Sequence, residues 1–518
     1  PAFGWEQNFV GPLSSCGMAY TFLGEESFLQ AGLGGADLYA PCLSEDQGKT
    51  IAVFPVSRSM ASLFGPGEQA AAPFLAALDG LARELPDPGS RVVSVFPDPC
   101  GAMGSAGEAE LYWHRFFQGL ADSLSRFEFT TPGRFIRGRV GLQKAYFPSS
   151  AERRYLVDFP EANGIYAKMV FSHMLINQLR GDKPRKQTAL EELWKAQGYD
   201  AFCPAESGGV RRGDLRKSAY RSMLEAEKIT RETGAFIPRL MNFDFDLNNE
   251  DEYLLQGDRI NCYIRLKGAG VFELDYLPHA WNYMDTFARR PPEDGGRPPE
   301  RRAGFSDLIA GLAGSPGVPA PLPGAPGDPA ALEDALASGG AEIRRCYRER
   351  FQVGDMDKTR CRVVFVLPER EPGPFGSIRM EKRYQLRKDT LTVAYTLSSR
   401  GEAEANFRFI PVLDLSFAGD GEDQQRVFAN GAAIPAAARA PAALRQAEAL
   451  KFQDLENETV INLVSDKPFD GWIIPCYCPA PPGPPPESYQ STCVVPLYTV
   501  RLGPGESWTL NISLKFTH

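Results

Sequence analysis

The sequence predicts an α/β unit, open or barrel-like, then a helical stretch, then a large antiparallel β-sandwich. Three observations predict it. Short β-branched runs alternate with amphipathic helical spacing over the first 150 residues. From Pro160 to about Glu227 the spacing is almost wholly helical. From about Phe236 short strands recur between turn signals up to the last residues.

The first region holds two apolar runs of strand length, Ile51–Val56 and Val92–Phe96. Between them Ala70–Leu85 places Phe74, Leu75, Leu78, Leu81 and Leu85 at helical steps, and Glu108–Phe127 does the same with Leu111, Trp113, Phe116, Phe117, Leu120 and Leu124. In the second region Pro160 suits a first helical turn. Ile165, Met169, His173 and Ile176 follow, and Thr188–Trp194 and Leu215–Ala226 supply two more helices. The third region reads as strands at Asn261–Leu266, Gly270–Leu274, Cys361–Leu367, Ser377–Leu386, Thr390–Leu397, Phe407–Phe417, Val460–Val464, Trp472–Cys476, Val494–Leu502 and Trp508–Phe516. It is interrupted by Pro291–Gly340, rich in Pro, Gly and Ala and predicted to be a flexible insertion with a short helix at Phe305–Leu312. The domain boundaries are therefore 1–150, 151–235 and 236–518.

Bulk composition excludes several classes. The 518 residues carry a formal net charge of −9, with 43% hydrophobic and 23% charged residues. An acidic chain without clustered Lys and Arg is not built for a phosphate backbone, so no nucleic-acid partner is expected. No apolar run is long enough to span a bilayer, so no membrane partner is expected either. Ten cysteines without a CxxC pair read as buried reduced thiols of a cytoplasmic protein. Only four histidines are present, which leaves few candidates for a metal centre or a Ser-His-Asp triad. No cofactor and no metal are expected. Asp244-Phe245-Asp246-Leu247-Asn248-Asn249 starts like a calcium loop, but Asn249 stands where that loop needs Gly and Leu255 where it needs Glu. A solvated acidic turn is the expectation there, and a solvated basic surface at Arg134, Arg137 and Arg139. A homo-oligomer fits the composition as well as a monomer does.

Three stretches carry a resemblance. They are Phe159-Pro160-Glu161-Ala162-Asn163; then Ala196-Gln197-Gly198-Tyr199-Asp200-Ala201-Phe202 with Gly208-Gly209; then Gly270–Asp275 with Ala280-Trp281-Asn282-Tyr283-Met284-Asp285-Thr286 and Arg289-Arg290. In this order and spacing they resemble glycoside hydrolase family 57, especially its 4-α-glucanotransferases and amylases. The resemblance implies the C-terminal part of an incomplete (β/α) barrel, a helical segment and a large β-sandwich. It also implies retaining chemistry on α-1,4-glucan or maltooligosaccharide, for which two carboxyl groups must flank the anomeric carbon about 5 Å apart. The sugar-contact candidates are Trp5, Gln197, Asp200, His279 and Trp281. The other tryptophans are expected mostly in cores, with any exposed one free to stack on glucose.

The catalytic motifs depart from the family. Cys16–Phe28 resembles the segment that follows the family nucleophile, and counting back from it puts Trp5 on an aromatic position and Ala2 on the nucleophile. An alanine cannot attack an anomeric carbon. Glu6 is the nearest carboxylate but lies on the other side of Trp5. Asp98 matches the first residue of the acid/base motif, while Pro99 and Gly101 replace a second Asp and the Glu. Cys203-Pro204 stands where the family has Trp-His. The implied reading is a glucan-binding or regulatory pseudoenzyme. One alternative is an active retaining hydrolase or transferase using Asp98 and Glu6, and a second is a non-sugar interaction scaffold. The resemblance further implies earlier barrel strands, so a natural chain with about 100 or more additional N-terminal residues is expected.

Overall fold

The computed structural model describes residues 4–64, 72–97, 106–122, 127–137, 139, 141–149, 155–202, 209–231, 236–287, 303–312, 342–367, 375, 377–434, 441–479 and 487–518. The chain forms two compact units, residues 1–154 and 155–518.

The first unit contains a three-stranded sheet, β1 (Tyr20–Gly24), β2 (Cys42–Asp46) and β3 (Lys49–Val56), in the order β1-β3-β2. β1 runs parallel to β3, with Tyr20 opposite Ala52 and Gly24 opposite Val56, and β2 is antiparallel to β3. Trp5, Val10, Leu23, Phe28, Ile51, Val53 and Phe147 form the core on one face of this sheet. They bring α1 (Val10–Ser15) and α2 (Glu25–Gln30) against it. A second core joins Met60 of α3 (Arg58–Ala61), Phe74 of α4 (Ala72–Glu84) and Tyr112, Phe116 and Leu120 of α5 (Ala106–Ala121), with Val93 and Val95 packed on it. A short helix, α6 (Pro132–Ile136), is capped by the Thr131 hydroxyl. The expected strand Val92–Phe96 is reduced to one parallel bridge, Ser94 to Val56. Val93 and Val95 pack sideways into the helical core rather than extending a ladder.

The second unit begins with α7 (Tyr155–Asp158), α8 (Pro160–Gln178), α9 (Lys183–Ala196) and α10 (Gly213–Arg231). Pro160 occupies the first turn of α8, and the Asp182 carboxylate caps α9 by accepting from Arg185 N. Ile165, Ile176, Leu193, Phe202, Tyr220 and Met223 form the core of this bundle. Beyond it β4 (Arg239–Phe243), β5 (Glu252–Gln256), β6 (Ile260–Ile264), β7 (Val271–Tyr276) and β8 (Trp281–Asn282) make a five-stranded antiparallel meander. Phe171 and Leu175 of α8 cover one face of it with Phe245, Leu254 and Tyr263.

The other face of the meander shares a hydrophobic core with a 13-stranded antiparallel sheet. Its strands are β9 (Ser306–Gly311), β10 (Ile343–Arg344), β11 (Gln352–Asp357), β12 (Arg362–Leu367), β13 (Ile378–Arg387), β14 (Thr390–Ser399), β15 (Ala405–Leu415), β16 (Gln425–Ala429), β17 (Ala432–Ile434), β18 (Ala442–Asp454), β19 (Thr459–Pro479), β20 (Glu487–Leu502) and β21 (Ser507–Thr517). β13 and β14 alternate buried side chains with half-buried or exposed ones along their length, the pattern of a sheet with one face toward solvent.

Two sequence expectations fail here. Phe305–Leu312 is not a helix: Ser306–Gly311 is strand β9, paired with β15 from Ser306↔Val412 to Gly311↔Phe407. Five of its six residues are buried, so the alternation that marks a strand is lost, and Leu308, Ile309 and Leu312 imitate helical spacing. The same strand interrupts the expected flexible insertion; residues 288–302 and 313–341 lie outside the described residues. Val460–Val464 and Trp472–Cys476 are not two strands but parts of β19, which pairs with β21 through its first part and β20 through its last.

Candidate functional site

In the first unit the carboxyl ends of the parallel strands lie side by side. β1 ends at Gly24, and Glu25 and Glu26 open α2 directly after it. β3 ends at Val56, and Ser57 then caps α3, accepting from Met60 N at 3.3 Å. Ser57 N donates to Ser94 O at 2.9 Å, which extends the row to the third segment. Glu25 Oε1 accepts from Ser59 N at 3.4 Å, and Glu26 pairs with Arg58 at 2.9 Å in solvent. An aromatic wall runs up to this edge. Phe22 sits 5.6 Å from Phe54 and 5.0 Å from Phe96, whose ring is 43% exposed. Open α/β sheets bind ligands beyond the carboxyl ends of their strands, so carboxylates, hydroxyls and an exposed ring gathered there form a site competent for a polar ligand. Glu25 and Glu26 were not singled out in the sequence, because Tyr20–Gly24 was not read as a strand and nothing marked them as standing at a strand end.

Trp5 and Glu6 lie elsewhere in this unit. Trp5 is 1% exposed, edge-on to Phe9 and Phe147, and so belongs to the core rather than to a sugar surface. Glu6 precedes the short turn Gln7–Phe9. The Gln7 amide donates to Ser44 Oγ at 2.9 Å and Glu45 O at 2.7 Å, opposite the first residues of β3. The Glu6 turn is thus anchored on the last residues of β2, level with the start of β3, whereas Glu25 and Glu26 follow the far end of β1. Ala2 and Asp98 lie outside the described residues.

In the second unit Gln197 and Asp200 share one turn. Gln197 closes α9, and Asp200 is central in the 3-10 turn Tyr199–Ala201. Ala201 and Phe202 are buried in the bundle core and fix this turn, leaving Gln197 and Asp200 exposed. Trp194, expected in a core, is 54% exposed beside them, and Tyr199 is 41% exposed. Arg212 brings a cation to the same surface. It bonds Asp214 through Nε at 3.1 Å, and its charged form is favoured by Asp214 and by Asp200. The Arg212 guanidinium also holds the Asp214 carboxyl below its ordinary range.

The structure does not bring His279 and Trp281 to this turn. Trp281 is 4% exposed, donates Nε1–H to Ser416 O at 2.9 Å and lies beside the cations of Lys217 and Arg221. It offers no open face to a sugar. His279 stacks on Tyr276 at 5.8 Å and faces His518 at 6.0 Å; burial and then His518 push its pKa down. The Pro278 carbonyl next to it accepts from Lys228, near the far end of α10. Lys228 is about 22 Å along the helix axis from the Gly213 end that adjoins the Asp200 turn.

The junction between helices and sheets is instead held by buried charge. Lys168 donates to Asp275 Oδ2 at 2.6 Å and lies 3.3 Å from Glu227, with all three side chains fully buried. Burial opposes the ammonium, but Asp275 and Glu227 outweigh it and keep Lys168 protonated well above its ordinary range. Burial likewise opposes the Glu227 carboxylate, yet Lys168 and Arg231 bring it down to about 2. Tyr220 donates to Glu273 at 2.9 Å, and Arg216 pairs with Asp285 at 2.9 Å.

The acidic turn at Asp244 is less solvated than its sequence suggests. Asp244, Asp246 and Glu252 bring carboxylate oxygens within 4.8 Å of one another, and among the described residues this is the group able to surround a cation. Asp244 accepts from Asn248 N and Asn249 N at 3.0 Å each. Glu252 is 3% exposed, and burial, then Asp246, push its carboxyl up to about 8. Cys42, Cys262, Cys346 and Cys361 are buried free thiols, and Cys16 is an exposed one.

No family model matches the chain. It is similar in sequence to alpha-amylase 1 of Dictyoglomus thermophilum, 23% identical over 340 residues, covering 55% of this chain and 47% of the relative. It is 24% identical over 354 residues to a 4-alpha-glucanotransferase of Thermococcus kodakarensis, covering 56% of this chain and 51% of the relative. The chain spans about half the length of the curated relatives it matches. The solved structure of the 4-alpha-glucanotransferase from Thermococcus litoralis has a similar fold. It superposes with a TM-score of 0.73 at 16% identity, covering 99% of this chain and 80% of that one. Among the described residues no helix is long and apolar enough to cross a membrane.

Proposed function

We propose that this chain is a divergent relative of the glycoside hydrolase family 57 enzymes, with an incomplete (β/α) barrel, that binds α-1,4-glucan as a pseudoenzyme. Similarity to alpha-amylases and 4-alpha-glucanotransferases supports the ligand class. The observation that carries the loss of chemistry is the residue at position 2: where the resemblance requires a nucleophilic carboxylate, this chain has Ala2. Gln197 and Asp200 are the proposed glucan contacts. A planar amide and a carboxylate, exposed beside Trp194 and Tyr199, suit sugar hydroxyls and ring faces. The test is incubation of the natural full-length protein with maltoheptaose, alongside retention on immobilised glycogen. Retention with no change in chain-length distribution is the expected result. Disproportionation or hydrolysis products would overturn the pseudoenzyme reading, and absence of retention the glucan reading.

Glu25 and Glu26 at the carboxyl end of β1 favour one second reading, an active retaining hydrolase or transferase. On that reading product formation falls at least about 100-fold in Glu25→Gln or Glu26→Gln, or in Glu6→Gln or Asp98→Asn if those residues carry the chemistry.

A further inference from the structure

We infer that Arg216 is a positioning residue through which strand β20 of the sandwich sets the geometry, and so the glucan affinity, of the Gln197–Asp200 turn. The affinity part rests on the glucan reading above; the mechanical part stands without it.

Arg216 is fully buried and joins three elements far apart in sequence. Its Nε donates to Asp285 Oδ1 at 2.9 Å, after strand β8. One terminal nitrogen donates to Val210 O at 2.7 Å, and the other to Gln490 Oε1 on β20 at 2.7 Å. Gln490 in turn donates Nε2–H to Arg211 O at 3.4 Å. β20 therefore grips two successive carbonyls of the turn Gly209–Arg211, one through Arg216 and one directly. That turn packs against the turn Tyr199–Ala201, and both pack against α10. Arg212 follows it immediately, and Asp200, after Asp214, favours its charged form. The path from Gln490 to Asp200 is thus continuous: amide, guanidinium, carbonyl, turn, cation, carboxylate.

A plain stability role does not account for this arrangement. A buried ion pair contributes little net stability unless its remaining hydrogen-bonding capacity is met. Here Asp285 Oδ2 and the neighbouring Thr286 hydroxyl are buried and have no hydrogen-bond partner among the described residues. What Arg216 adds is direction. A planar guanidinium spreads its donors over a rigid fork and so fixes the directions of three separated acceptors, whereas lysine presents its donors from one rotatable point. Arg216→Lys therefore keeps the charge and removes the fork.

The experiment compares wild type with Arg216→Lys, Gln490→Leu and Arg344→Lys. The last breaks a comparable pair, Arg344–Glu349, elsewhere in the sandwich. Maltoheptaose affinity is measured by titration calorimetry, amide exchange by mass spectrometry over residues 196–202, and folding by thermal melting. The coupling predicts that Arg216→Lys and Gln490→Leu melt cooperatively, bind about tenfold more weakly and exchange faster over 196–202. Arg344→Lys should change neither affinity nor exchange there. Unchanged exchange over 196–202 in a folded Arg216→Lys overturns the inference, as does equal loosening in Arg344→Lys. If Arg216→Lys does not fold, Gln490→Leu decides by the same criteria. If wild type does not bind maltoheptaose, the glucan reading falls, and exchange alone decides the coupling.

Discussion

The two units treat charge in opposite ways. In the larger one Lys168, Glu227, Asp275, Arg216 and Asp285 are taken out of water and paired where helices meet sheet. In the smaller one Glu26 and Arg58 meet at the end of the parallel strands with 52% and 82% of their side chains exposed. Buried pairs fix geometry, because removing one partner strands the other in a poor solvent. Exposed pairs stay adjustable and contribute little. The helix–sandwich junction is therefore a rigid mount, and the strand ends in the smaller unit are a surface that can change without cost to the fold.

The contrast is open to breakage in a graded series. Lys168→Met leaves Asp275 and Glu227 facing each other and should lower unfolding free energy by about 3–5 kcal/mol in urea titration. A loss under about 1 kcal/mol would mean that the junction is wetter than the contrast requires. Tyr220→Phe removes one donor to Glu273 and should cost about 2 kcal/mol by the same measurement.

Glu252 sharpens the comparison through pH. Its folded carboxyl is raised to about 8 from an ordinary 4.5, so between these values the native state holds a proton that the unfolded chain has lost. Stability should fall as pH rises through that window. Glu252→Gln should flatten the dependence. Urea midpoints at pH 5 and pH 8 check this, and an unchanged slope in the variant would assign it to other groups. Smallest of all, Arg58→Ala in the first unit should change stability by less than about 0.5 kcal/mol. A larger loss would make the strand ends structural.

Much of the helical layout was legible because α4, α8 and α10 repeat apolar residues at steps of three and four. The strands β13 and β14 were legible because one face is wet. β18 was not. Ala442–Asp454 reads AALRQAEALKFQD, a run of good helix formers, yet it pairs with β19 along most of its length. Partner strands on either side decide its conformation, and local preference yields. Side-chain type also failed to separate core from surface among the tryptophans: Trp5 and Trp281 are enclosed while Trp194 is open. Gln197 and Asp200 were singled out because a motif carries them in seven consecutive residues. Arg216 was invisible because its partners lie 69 and 274 residues away.

The 21-residue strand β19 has a bearing on which length changes the chain tolerates. Its first residues, Val460–Ser465, pair with β21 on one side while Thr459–Val464 pair with β18 on the other, and its last ten pair with β20. Removing one residue near Leu463 would exchange inner for outer side chains on everything downstream and break step with three neighbours together. Insertions and deletions in this half of the protein are therefore confined to the connections between strands, and lineages that diverge in loop length should keep the count from Thr459 to Trp472 constant.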